Sequence, residues 1–145
     1  MCPRYPRAMS VVDEKPARLE PAQVEAFVGN AHGDLAEVER LLALEPALAN
    51  ASWDWGGGDW ETGLGAAAHM GRRDIAELLL GRGARMDVFA AAMLGEVEIV
   101  RAMLDSHPEL VTAKGPHGIP LRVHAEKGGE RAQAVLALLD ERASS

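Results

Sequence analysis

A chain of 145 residues with 48% apolar residues is sized for one domain with its own core. Its formal net charge of −7 and its lack of any Lys/Arg cluster argue against nucleic-acid or anionic-membrane binding, which needs a positive field. A single cysteine, Cys2, excludes an internal disulfide, and no apolar run approaches the ~18 residues of a membrane span. Only 4% of the residues are aromatic, so the core must be built from Ala, Leu, Val, Ile and Met, which suit closely stacked helices.

Residues 1–20 are proline-rich and charged, with no helical period, and are expected to form a flexible N-terminal arm. They lack the continuous apolar centre of a signal peptide, so a cytoplasmic location is expected. Residues 21–145 read as one domain. Pro21 opens a helix whose Val24, Phe27 and Val28 follow at helical spacing, and Leu35, Val38, Leu41 and Leu42 repeat the spacing until Pro46 stops it. Helices are expected over 21–31, 35–44, 63–70, 73–81, 87–94, 97–105, 120–127 and 130–141. The stretch Thr62–Ala84 sets the pattern: an alanine-rich helix, a turn at Gly71, then a helix with Ile75, Leu78 and Leu79 on one face.

The turn glycines Gly33, Gly71, Gly95 and Gly128 each separate an alanine-containing segment from a Leu/Val/Ile-rich one, at intervals of 38, 24 and 33 residues. In these residues the chain resembles the ankyrin repeat, a unit of roughly 33 residues opening on T-P-L-H-x-A. The resemblance covers about residues 21–142 and implies an all-α solenoid of four helix-pair units. Between the second and third units roughly nine residues are missing, the length of the projecting hairpin of such a unit. Asp87 is then the N-cap of the third unit's first helix. The loop Ala51–Glu61 is instead about five residues too long for the period and holds all three tryptophans. Pro116, His117 and Gly118 read as the turn of the last loop. The units depart from the opening motif at Gly63, Gly65, Val88, Phe89, Ile119 and Arg122, which puts a different hold on each loop. The last helix is polar on its outer face, as a terminal unit requires.

For the five histidines the expected role is to cap a turn or bond a neighbouring carbonyl. No i, i+4 pair with an intervening acid and no Cys pair marks a zinc site, so no metal, cofactor or catalytic residue is expected. The run Gly56–Gly58 lacks the Lys-Ser/Thr of a phosphate loop, and Asp54 and Asp59 give it the wrong charge. Ser52, Ser106 and Thr112 are not set in a nucleophile elbow. The cluster an enzyme or ligand-binding protein would use is Asp54, Asp59, Glu61 and His69.

The ankyrin resemblance implies a non-catalytic module that binds another protein. The expected partner surface is Trp53, Asp54, Trp55, Asp59, Trp60 and His117, with the fingers at 51–61 and 112–119 standing as two walls of a gap. Three indoles beside acidic groups favour a basic peptide segment as guest. The alternatives are an enzyme or ligand-binding protein using the Asp/Glu/His cluster, and self-association. Alanine and arginine outweigh lysine in a way that suggests a GC-rich bacterial genome.

Overall fold

The computed structural model describes residues 15–144. Residues 1–14 of the expected arm lie outside the described residues. Residues 15–20 carry no regular structure, and Leu19 among them packs against the core. The described residues form a mostly helical, all-α architecture with one small hairpin. Its elements are α1 (Pro21–Asn30), α2 (Leu35–Leu44), β1 (Ser52–Asp54), β2 (Trp60–Thr62), α3 (Gly63–His69) and α4 (Arg73–Gly81). There follow α5 (Val88–Leu94), α6 (Val97–Ser106), α7 (Leu121–Lys127) and α8 (Gln133–Ala143).

Three of the helices start on a side-chain cap. Asp34 accepts from Glu37 N at 3.1 Å, Thr62 Oγ1 from Gly65 N at 2.9 Å, and Asp87 Oδ1 from Ala90 N at 2.8 Å. Asp87 is therefore the cap expected of it. The last helix begins later than 130. Residues Gly129–Ala132 form a 3₁₀ turn, because Gly129 takes φ +64° and leaves the helical path.

Each odd-numbered helix packs on the even-numbered helix that follows it. α1, α3, α5 and α7 also pack successively side by side, with α2 against α4 and α6 against α8 behind them. Alanine permits the close approach: Ala66, Ala67, Ala68, Ala90, Ala91 and Ala92 are wholly buried. Leu79 is fully buried as well. The apolar interior falls into two clusters that meet on α5. Phe27, Leu42, Leu64, Leu79 and Met93 belong to the first, and Ala92, Leu104, Leu121 and Leu139 to the second.

A further contact, α3 on α7, shows that the row curls. Its consequence is local and decisive. The loop before α7 is drawn onto the hairpin before α3, where Pro116 lies over Gly65. The expected gap between fingers 51–61 and 112–119 is therefore closed: Asp59 Oδ1 accepts from His117 N at 2.7 Å. Only the short link 82–87 joins α4 to α5, so no hairpin stands between these two loops. Among the described residues no helix is long and apolar enough to cross a membrane.

Candidate metal centre

The hairpin pairs Ser52 with Thr62, Trp53 with Glu61 and Asp54 with Trp60. Side chains alternate across a strand, so Asp59 and Glu61 share a side while Trp60 takes the other. The tip is held by Asp54, whose Oδ1 accepts from Gly56 N at 2.8 Å and Gly58 N at 3.0 Å. Glu61 is turned inward and is only 1% exposed.

Three imidazoles converge on this carboxylate. His69 Nε2 stands 2.9 Å from Oε2, His117 Nε2 3.2 Å from Oε2, and His32 Nε2 3.2 Å from Oε1. One ligand atom from each of the four residues lies within 4.8 Å of all the others. The rings pack closely, with centroids 5.0 Å apart for His32 and His69 and 5.3 Å for His69 and His117.

Each histidine is delivered by a different junction. His32 leaves the end of α1, and its Nδ1 lies 3.1 Å from Val28 O and 3.0 Å from Gly29 O. Arg72 donates through Nη1 to Gly33 O at 2.6 Å, tying this turn to the turn that follows α3. His69 is the last residue of α3. His117 occupies a short 3₁₀ turn with φ +60°, a left-handed conformation uncommon for a residue with a side chain. Its Nδ1 is 2.7 Å from Asp59 Oδ2.

These outer bonds fix what the inner nitrogens can be. Carbonyl and carboxylate oxygens only accept, so Nδ1 of His32 and Nδ1 of His117 each carry a proton. In their neutral form both rings then aim an Nε2 lone pair at the lone pairs of Glu61. That meeting is repulsive unless a positive charge lies between, either protons on the rings or a metal ion. Donating Nδ1–H to a carbonyl or a carboxylate is the outer-shell arrangement of a metal-binding histidine. Burial alone would push the Glu61 carboxyl up, but hydrogen bonds from His32, His69 and Trp55 outweigh it and hold the group far below the usual carboxylate range. The bond to Glu61 raises His32 against the opposing effect of burial. The site is thus built around a fixed negative charge.

Trp55 roofs the cluster. Its Nε1 donates to Glu61 Oε1 at 2.8 Å, and its ring meets His32 edge-on at 6.2 Å. Of the six expected partner residues, Trp55, Asp59 and His117 come together here. Trp53 packs against the first apolar cluster, Asp54 is spent on the hairpin tip, and Trp60 points away, 60% exposed. From the alternative cluster, Glu61 and His69 are central, while Asp54 stands outside the four convergent groups.

His32 is the residue that the sequence reading left out of any site. A signal was present: His32 in the turn after α1 and His69 at the end of α3 each lie just ahead of a turn glycine, and those helices pack side by side. Motif spacings for zinc pair ligands within one segment, whereas these four come from three separate junctions and strand β2. The turn-capping role expected of the histidines describes His124, whose Nδ1 bonds Pro120 O at 2.9 Å, and one nitrogen of His32. No family model, no curated protein and no solved structure matches this chain.

Proposed function

We propose that this protein binds a divalent first-row transition-metal ion through His32, His69, His117 and Glu61. The observation that carries the reading is the convergence of three Nε2 atoms on one buried carboxylate, with the outer nitrogens of two rings already protonated outward. A bound cation replaces the ring protons and removes the lone-pair conflict. Imidazole and carboxylate donors without thiolate suit Zn²⁺, Co²⁺, Ni²⁺, Fe²⁺ or Cu²⁺ rather than Ca²⁺ or Mg²⁺. The scaffold on this reading is an ankyrin-type array of four degenerate units in a reducing, cytoplasmic setting. Its paired helices and side-by-side first helices support that assignment.

Equilibrium dialysis of chelator-stripped protein against Zn²⁺, Co²⁺ and Ni²⁺, followed by elemental analysis, tests the proposal. One ion per chain is expected in the parent, and none in His69→Ala at the same free-metal concentration. Equal uptake by both would refute the site.

A second reading, a protein-interaction module, keeps one specific support in the exposed indole of Trp60. Its measure is capture of an Arg-bearing peptide, lost in Trp60→Ala while metal uptake stands.

A further inference from the structure

The four donors do not surround the ion evenly. The side chains of Glu61 and His69 are 0% and 10% exposed, whereas those of His32 and His117 are 27% and 32% exposed. A metal seated among them is sealed on the Glu61–His69 side, and its solvent-facing side is that of His32 and His117, beneath the partly exposed Trp55 ring that packs 6.2 Å from the one and 6.4 Å from the other.

The carboxylate is also restrained. Trp55 Nε1–H engages Oε1, which His32 Nε2 also approaches at 3.2 Å, while Oε2 faces both His69 and His117. A carboxylate with one oxygen held by an indole is biased to ligate through the other alone. The protein then supplies four donor atoms, three nitrogens and one oxygen. Co²⁺, Ni²⁺ and Fe²⁺ accept more than four, and zinc sites that keep a position for water expand to five.

Charge selects what completes the shell. A divalent ion with three neutral imidazoles and one carboxylate retains a single positive charge. Asp59 is one bond removed, on His117 Nδ1, and strengthens that imidazole as a donor without filling a metal position. With the Asp59 charge counted the site is close to neutral, so water occupies the position and a small anion binds by displacing it at the ion itself, which keeps a single positive charge among its direct ligands.

We infer that the metal centre keeps an exchangeable position between His32 and His117 that takes water and small anions, with Trp55 as the positioning residue that keeps it open. This rests on the metal-binding reading and specifies the ligand class of that site.

The test loads stripped protein with Co²⁺, confirms one ion per chain by elemental analysis, and titrates sodium azide while recording the visible spectrum. The expected result is weak bands of a five- or six-coordinate ion that shift saturably with azide at one equivalent per site. Intense tetrahedral bands that azide does not move would overturn the open position while leaving metal binding intact. Failure to take up Co²⁺ would instead refute the metal site itself. Trp55→Phe, at a side chain that is 38% exposed, removes the hydrogen bond and lets Glu61 close on the metal through both oxygens. Azide affinity should then fall by about tenfold with cobalt uptake retained. An unchanged spectrum and azide affinity in Trp55→Phe would overturn the role given to Trp55.

Discussion

His124 shows what a single buried histidine does when it is not part of the cluster. It is wholly buried on α7, its ring tilted 48° against that of Phe89 with centroids 4.8 Å apart, and its Nε2 has no hydrogen-bond partner among the described residues. Burial pushes its pKa down, His69 adds to that, and Asp87 and Glu61 oppose it with the bond to Pro120. A histidine kept neutral inside takes up its proton more readily in the unfolded chain. The unfolded state therefore gains protons first as pH falls through about 6.5, and stability falls with it. His32, raised rather than lowered, pulls in the opposite direction, so the parent alone does not isolate the effect. Urea unfolding of the parent and of His124→Leu at pH 8 and pH 5 separates them. The parent should lose more stability than the variant over that interval. An equal loss would mean that His124 is not held neutral. A second expectation at this scale concerns Leu79, fully buried in the first apolar cluster. Leu79→Ala should cost about 2–5 kcal/mol in chemical denaturation. A melting temperature within a degree or two of the parent would contradict that.

At the scale of elements, the turn between α5 and α6 is the least tolerant junction. Gly95 has φ +79°, and a Cβ built on it would lie 2.1 Å from Arg131 O. Facing it, Gly128 stands so close to Met93 O that a Cβ there would also come to 2.1 Å. The third and fourth helix pairs are thus pressed together backbone to backbone. Gly95→Ala should destabilise by at least about 2 kcal/mol, since backbone strain and a collision with main chain combine. Thermal unfolding monitored by circular dichroism measures it, and a neutral effect would mean the junction is looser than described. Elements of this kind were legible in the sequence. Apolar spacing placed α2 and α4 to the residue, and the glycines marked the turns between paired helices. The start of α8 was not legible, because a left-handed Gly129 and the tight seat of Gly128 are tertiary matters. The site was half legible. Asp59, Glu61, His69 and His117 could each be singled out from local pattern, and alternation along β2 put the two acids on one side. That His117 joins them depends on the curl of α3 onto α7, which no spacing in the sequence reports.

For the whole molecule, the proposed metal centre would act as a fastening between the parts of the chain built on the two apolar clusters. His32, Glu61 and His69 precede α4, in the part of the chain built on the first cluster, whereas His117 lies on the loop leading into α7, in the second. The direct links between the fingers are the two bonds of His117 to Asp59 and its approach to Glu61. An ion held by all four residues would close a reversible bridge between His32 and His117, 85 positions apart in the chain. It binds the folded arrangement and not the unfolded chain, so saturation at a hundred times the dissociation constant adds about 2.7 kcal/mol. The benefit should be uneven. Removal of the ion with a chelator leaves the first cluster with its own burial intact but frees the loop at residues 114–120 from its anchor. Hydrogen exchange should then accelerate most in that loop and in α7, with α1, α2 and α4 changing least. His117→Ala should remove the metal dependence of exchange in residues 114–127. Its remaining ligands still permit weaker binding near α1 and α3. Uniform acceleration along the chain on chelation, or metal-dependent protection of α7 that survives in His117→Ala, would show that the ion does not anchor the loop at residues 114–120.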